Sequence, residues 1–308
     1  MHKINIGIDI GNGNTKFRHC HFESKTEMTM LLSGFGNKKE NVHEVKYNNL
    51  TYYIGQGQEF TTKDRHTSKP YLLCMLTAIA LSSSETDIIA SVCIGVPTMM
   101  FLNNKERVRE IETHYNSPEM KYHKIEVNGE YKSITLQKVY VFAENASPLI
   151  DDDDDNQILI DIGEGTVNIS QWENQVPLKI DTQEGSSSFL GLYIKIANYL
   201  KSITKADVNH KYVQRNLGND TIYIDGKELD FSFSKEMMES HVRALASNIK
   251  TNFDLISAKK IIICGGGATP TEKYWKSVLD NVTLVDDNQY INAKVYQAYV
   301  EMKTLQEN

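Results

Sequence analysis

One short pattern occurs twice in this chain and restricts its architecture more than any other feature. Residues 6–13 read Ile-Gly-Ile-Asp-Ile-Gly-Asn-Gly, and residues 158–165 read Ile-Leu-Ile-Asp-Ile-Gly-Glu-Gly. Isoleucine at every second position is the period of a β-strand with one apolar face. The cluster Gly11-Asn12-Gly13-Asn14 then reads as a hairpin turn, with a returning strand over 15–22. In the second copy Gly163-Glu164-Gly165 is the turn and Thr166–Trp172 the return. Each copy lies near the start of one half of a chain of 308 residues. The sequence therefore predicts an α/β chain of two similar domains facing each other.

Between the copies the pattern varies. Residues 24–70 are polar and Gly-rich with short Tyr-bearing strands, and read as a small peripheral subdomain. A buried helix is predicted near 71–83, a buried strand from Ile88 to Val96, and a helix from Lys105 to Thr113 capped by Asn103 or Asn104. A hairpin turns at Asn128-Gly129, and Ala143-Glu144-Asn145 reads as a short helix start before the acidic run Asp151–Asp155, a solvated loop. After the second copy, Gly185-Ser186-Ser187-Ser188 precedes a helix with Phe189, Leu192, Tyr193, Ile196, Ala197 and Leu200 on one stripe. Residues 203–233 form a second polar insertion with a hairpin signal at Asp225-Gly226, and Ser234 is placed to cap a long helix. A strand from Lys260 to Cys264 runs into Gly265-Gly266-Gly267-Ala268, and Tyr290–Gln306 reads as a terminal helix.

Composition excludes several classes. Thirty-three Lys and Arg against 40 Asp and Glu give a net charge of -7, which repels a polyanion, and no basic patch is visible. Direct nucleic-acid binding is not predicted. No apolar run approaches the ~18 residues of a membrane span, and no secretory signal precedes the first strand. Cys20, Cys74, Cys93 and Cys264 form no C-x-x-C pair and read as reduced core thiols of a cytoplasmic protein. His19 and His21 share a strand face, which reads as a half-exposed surface rather than a metal site.

The chemistry concentrates at the two turns. Without Cβ atoms in the way, backbone N–H groups of a Gly/Asn turn can approach a phosphate. Asn14 and Thr15 add polar side chains and Lys16 a positive charge. Asp9 is repelled by phosphate, but it can hold Mg2+ through water, the usual arrangement for a metal on nucleotide phosphates. Asp161, Gly163, Gly165 and Thr166 repeat the set. Two such hairpins clamp a phosphate chain from opposite sides with the metal between them. Gly265-Gly266-Gly267, after a buried strand, is a third place where a ligand can touch backbone.

Together these stretches resemble a known superfamily. Asp9-Ile-Gly-Asn-Gly-Asn-Thr-Lys16 resembles the first phosphate motif of the actin/Hsp70/sugar-kinase ATPases, and Asp161-Ile-Gly-Glu-Gly-Thr166 the second. Ile261-Ile-Ile-Cys-Gly-Gly-Gly-Ala268 resembles the adenosine motif. Within the superfamily the chain is most similar to ParM-like bacterial actins. Gly95-Val-Pro97 resembles the Gly-x-Pro before the first inter-domain connection, and Phe142-Ala-Glu144-Asn145 the first connecting helix, whose acidic residue positions the attacking water. Glu184-Gly-Ser-Ser-Ser-Phe-Leu-Gly191 resembles the Gly-Ser-rich stretch leading into the helix after the second phosphate motif. Asn292-Ala-Lys-Val-Tyr296 resembles the second connecting helix, with Val295 where Gly is usual. Glu164 puts an acid in the second turn, as actins do, and Asn168 replaces an acid often found after the Thr.

The resemblance implies an actin-like ATPase fold, with two RNase H-like domains, a nucleotide cleft between them and small peripheral subdomains. Domain I would span 1–148, with the helix 289–308 returning to it, and domain II 149–288. ATP or GTP with Mg2+ would be the cofactor. Gly11, Asn12, Gly13, Asn14, Thr15, Lys16, Gly163, Glu164, Gly165, Thr166 and Gly185 would hold phosphates, and Gly265, Gly266, Gly267 and Ala268 the adenosine. Asp9 and Asp161 would hold the metal's waters, and Glu144 would orient or deprotonate the attacking water. The implied function is a filament-forming ATPase that segregates plasmid DNA. Its partners are head-to-tail copies of itself and a DNA-binding adaptor of the ParR type, with neither membrane nor direct nucleic acid. The rival readings are a small-molecule kinase of pantothenate- or sugar-kinase type, with Glu144 as substrate base, and a non-polymerising ATP-dependent sensor. The chain lacks the Cys-rich zinc motif of the small sugar kinases.

Overall fold

A computed structural model describes residues 2–11, 14–19, 27–32, 42–55, 64–146, 156–163, 165–174, 176–285 and 288–307. Asn12, Gly13, Cys20, His21, Glu164 and the Asp151–Asp155 run lie outside the described residues. The chain forms two compact units, residues 1–146 with 292–308, and residues 147–291.

The first unit opens with strands β1 (His2–Ile10), β2 (Asn14–His19), β3 (Glu27–Leu32), β4 (His43–Tyr47) and β5 (Leu50–Ile54). Helix α1 (Lys69–Leu81), strand β6 (Asp87–Val96), helices α2 (Thr98–Asn103) and α3 (Lys105–Tyr115), and the hairpin β7 (Tyr122–Val127) and β8 (Glu130–Ala143) follow. All eight strands form one sheet in the order β3-β2-β1-β6-β8-β7-β4-β5. Thus β4 and β5, within the stretch read as peripheral, extend the main sheet through β7. Strands β1, β6 and β8 are parallel. Asn104 caps α3 by accepting from the Arg107 N–H at 3.1 Å, and Ser68 caps α1. Cys74 and Cys93 are buried free thiols.

The second unit repeats the opening with β9 (Gln157–Ile162), β10 (Thr166–Glu173) and β11 (Val176–Glu184). Helices α4 (Phe189–Thr204) and α5 (His210–Asn216), the hairpin β12 (Thr221–Ile224) and β13 (Lys227–Asp230), and α6 (Phe233–Asn252) come next. Strand β14 (Lys260–Cys264), α7 (Ala268–Val278) and β15 (Val282–Leu284) complete a sheet ordered β11-β10-β9-β14-β15. All six residues of the α4 stripe are buried, packed with Met238, Val242, Leu245 and Ile249 of α6. Ser188 caps α4, its Oγ accepting from the Gly191 N–H at 3.2 Å. The expected cap of α6 is displaced: the helix begins at Phe233, and Ser234 is buried inside its first turn. Phe231 and Phe233 pack edge to face at that start. No helix among the described residues is long and apolar enough to cross a membrane.

The last helix, α8 (Ile291–Glu307), packs in the first unit. The alternating isoleucines predicted one apolar face for β1. In the fold its second face is covered as well, because Gly7 leaves room for α8. A Cβ on Gly7 would stand 2.2 Å from the Gln297 backbone nitrogen and 2.5 Å from the Ala293 carbonyl. Gln297 spans the contact, its Oε1 accepting from the Gly7 N–H at 2.9 Å and its Nε2 donating to the Asn5 carbonyl at 3.0 Å. Backbone stands against backbone here, so no side chain can rotate away. Gly7→Ala is expected to lower global stability by about 2–3 kcal/mol, read as a lower midpoint in denaturant unfolding; a wild-type midpoint would refute this packing.

Candidate functional site

In the first unit the parallel strands β1, β6 and β8 end side by side, and carboxyl ends of parallel strands are where α/β sheets take ligands. Asp9 is the penultimate residue of β1 and only 6% exposed. It pairs in register with Lys16 of β2, whose Nζ lies 3.4 Å from Asp9 Oδ2. The Gly11 N–H donates to the Asn14 carbonyl at 2.9 Å and closes the turn. Asn14 Oδ1 is buried with no hydrogen-bond partner among the described residues. Thr15 is fully buried. Arg65, which the sequence did not single out, donates from Nη2 to the Ile10 carbonyl at 2.5 Å and braces the turn from behind.

Glu144 does not start a helix. Strand β8 runs to Ala143, and Glu144 and Asn145 form a bend with Asn145 in the left-handed region at φ 53°. Three bonds hold that bend: the Glu144 N–H donates to the Val96 carbonyl at 2.9 Å, the Thr98 hydroxyl donates to the Glu144 carbonyl, and the Asn145 N–H donates to Asn292 Oδ1 at 2.9 Å. Glu144 is half-buried. Glu144 and Asp9 both act electrostatically on the buried hydroxyls of Tyr71 and Tyr296. Burial is the main cause that pushes both tyrosines well above their ordinary pKa; for Tyr71 the Arg65 guanidinium opposes it.

The second unit builds the same turn. The Gly163 N–H donates to the Thr166 carbonyl at 2.9 Å, the length found between Gly11 and Asn14. An added Cβ at either glycine would stand 3.1 Å from the accepting oxygen. Asp161 is 8% exposed and pairs in register with Asn168, which stands where Lys16 stands in the first copy. Asn168 Oδ1 accepts from the Thr182 hydroxyl at 3.0 Å. Strand β14 lies parallel to β9 with Cys264 opposite Asp161. Gly265 turns away at φ 86°, and a Cβ there would stand 2.3 Å from Asp161 Oδ1 and 2.6 Å from the Ile162 carbonyl. The Gly267 N–H donates to the Ile162 carbonyl at 2.9 Å, and the Gly265 N–H to the Asn288 carbonyl at 3.0 Å. Gly185 follows β11, whose last residue Glu184 pairs with Thr166. Gly163, Gly165, Thr166, Gly185 and Gly265–Ala268 thus gather where β9, β11 and β14 end and β10 begins. Gly165, Gly185 and Gly266 would each accept a Cβ without meeting another atom within 4 Å. No group of three or more His, Cys, Asp or Glu placed to hold a metal directly occurs among the described residues.

Residues 7–146 match the family model described as the actin like proteins N terminal domain. In fold the chain is similar to the psk41 ParM protein in its apo form, at 17% identity over 99% of each chain with a TM-score of 0.71. It is similar to a 15-stranded ParM filament from Clostridium botulinum, at 14% identity over 98% of this chain and 100% of that one, TM-score 0.76. An archaeal actin homologue in complex with ADP matches at 15% identity over 97% and 99%, TM-score 0.75. A comparison with curated protein sequences finds no match. The chain therefore has the actin-like fold of ParM and other actin homologues.

Two glycines of one motif separate backbone geometry from access. Gly265→Ala forces a left-handed residue against Asp161 and is expected to destabilise the fold by about 2 kcal/mol. Gly266→Ala, exposed with open space around it, is expected to change stability by less than about 0.5 kcal/mol. Thermal unfolding of both checks this, and equal midpoints would contradict the geometry.

Proposed function

We propose that the protein binds ATP with Mg2+, hydrolyses it, and assembles head to tail into filaments that move plasmid DNA through a DNA-binding adaptor. The observation that carries this reading is the duplicated turn. Two Asp-Ile-Gly strand ends close with the same 2.9 Å backbone bond, in a fold shared with an actin homologue solved with ADP and with a ParM filament. Each turn suits a phosphate group, and GTP satisfies the same chemistry as ATP.

The residues fit such a ligand. The Gly11 and Gly163 N–H groups close the two turns; beside them the open backbone of Gly165, the Asn14 side chain and the Thr15 and Thr166 hydroxyls take phosphate oxygens, with Lys16 supplying charge. Asn12, Gly13 and Glu164 complete the turns. Asp9 and Asp161 suit outer-sphere contact, each one carboxylate close to a turn, and take the water shell of Mg2+. When bound, the metal neutralises charge on the β- and γ-phosphates. Gly185 and Gly265–Ala268 leave backbone open to ribose and base. Glu144 orients the attacking water and takes its proton. Domain I is residues 1–148 with 289–308, domain II is 149–288, and the insertions at 24–70 and 203–233 supply filament contacts. A heterologous contact of this kind does not close and builds an open helix. The net charge of -7 suits indirect contact with DNA in the cytoplasm.

Phosphate release and light scattering measured together with Mg-ATP, across protein concentrations, test the reading. Both are expected to rise above one threshold concentration. Glu144→Ala is expected to keep the polymer and slow phosphate release by about 100-fold. Flat, scatter-free behaviour at every concentration would sink the filament.

A further inference from the structure

A head-to-tail filament joins two different surfaces of each chain. With the insertion at 203–233 as one of them, the other lies elsewhere on the molecule, and α6 leads to a candidate. This helix has 20 residues, Phe233 to Asn252, and is about 30 Å long. The β12–β13 hairpin ends at Asp230, just before its first turn. A tight turn, Asp254 to Ser257, follows its last. The hairpin and the tight turn thus stand at the two ends of one rigid helix.

The tight turn carries Ile256, which is 100% exposed. Its backbone is pinned. The Ile256 and Ser257 N–H groups donate to Asp254 Oδ1 at 3.1 and 3.3 Å, and Asn156 Nδ2 donates to Ser257 Oγ at 2.5 Å. An isoleucine held in water on a fixed turn forgoes all of its burial energy. Beside it opens a cavity of about 460 Å³ lined by Phe253, Leu255, Ile256, Ile261 and Leu279.

The hairpin presents the matching shape. Ile222 and Ile224 are buried, so the strand period turns Tyr223 outward, where it is 64% exposed and pairs with Glu228. Asp225 and Gly226, both at positive φ, make the two-residue turn, and the Tyr212 hydroxyl donates to the Tyr223 carbonyl. An exposed tyrosine on a braced hairpin is the kind of side chain that anchors interfaces. The charges are opposite as well. Residues 220–230 carry Asp220, Asp225, Glu228 and Asp230 against Lys227, whereas residues 250–260 carry Lys250, Lys259 and Lys260 against Asp254. Asp280, which also lines the cavity, leaves that end positive.

Resting on the filament reading, we propose that the cavity beside Ile256 is the docking surface for the β12–β13 hairpin of the next copy, with the Tyr223 ring seated against Leu255 and Ile256. Because the two surfaces differ and lie at opposite ends of α6, each copy that docks leaves a free hairpin and a free cavity, and the contact propagates without closing. Opposite charge guides the two ends together and opposes pairing of like ends.

Two measurements test the contact. First, Tyr223→Cys and Ile256→Cys chains are mixed in equal amounts with Mg-ATP and oxidised with copper phenanthroline. A disulfide-linked dimer is expected in the mixture and not in either variant alone. Second, Tyr223→Ala and Ile256→Asp are expected to unfold at the wild-type temperature, since both side chains are exposed, and to bind nucleotide as the wild type does. Their threshold concentration for light scattering is expected to rise about tenfold or more. A wild type that polymerises while the mixture gives no crosslink, or while either variant keeps the wild-type threshold, overturns this contact and leaves the filament standing. A wild type that neither scatters nor crosslinks overturns both. A crosslink in a wild type that does not hydrolyse ATP upholds the contact and removes the ATPase.

Discussion

The first unit depends on a helix pressed directly onto the backbone of its central strands. Gly7 on β1 and Gly95 on β6 present no side chains to α8, and α8 fills the space with the Ala293 and Gln297 backbone and the Tyr296 ring. Such close approach gains dispersion contacts and excludes water, and it tolerates no added carbon. It also joins the two ends of the chain. The Gly7 N–H bonds to Gln297 across 290 positions of sequence, so the unit holding Asp9 and Glu144 cannot be completed until the last segment has docked.

The site inherits its layout from that arrangement and from duplication. In both units a strand–turn–strand element puts an aspartate near a strand end and closes with the same backbone bond. The copies differ in charge. Asp9 faces the Lys16 ammonium across the ladder, whereas Asp161 faces the neutral amide of Asn168. Asp161 is instead confined by Gly265, whose bare Cα lets its oxygen approach. The two turns therefore share a backbone form but differ in the side chain that faces the aspartate.

Much of this was legible in sequence because it is local. Period-two isoleucines fixed β1 and β9, Asn128-Gly129 fixed the β7–β8 hairpin, and the Phe189–Leu200 stripe fixed the buried face of α4. What escaped was non-local. The second buried face of β1 follows from a helix near the far end of the chain. Arg65 braces Ile10 across 55 positions, and nothing in its own neighbourhood announces it. Strand β11 carries little apolar alternation because it lies at a sheet edge. The Glu144 segment was misread for the same reason: an acid and an asparagine after an apolar run are an ordinary helix start, and only tertiary bonds make them a bend.

That bend is where the non-local constraint reaches the chemistry. A left-handed asparagine costs about 1 kcal/mol and persists only where its surroundings over-determine it. Here they do: β6 holds the Glu144 N–H, α2 holds its carbonyl, and α8 holds the next N–H. These three bonds fix the backbone of the bend. The element that fixes it from the far side is the one seated on Gly7 and Gly95. Displacement of α8 would remove the Asn292 bond and release the bend. The placement of the carboxylate and the docking of the terminal helix are thus one cooperative property of the unit, and neither can be altered without the other.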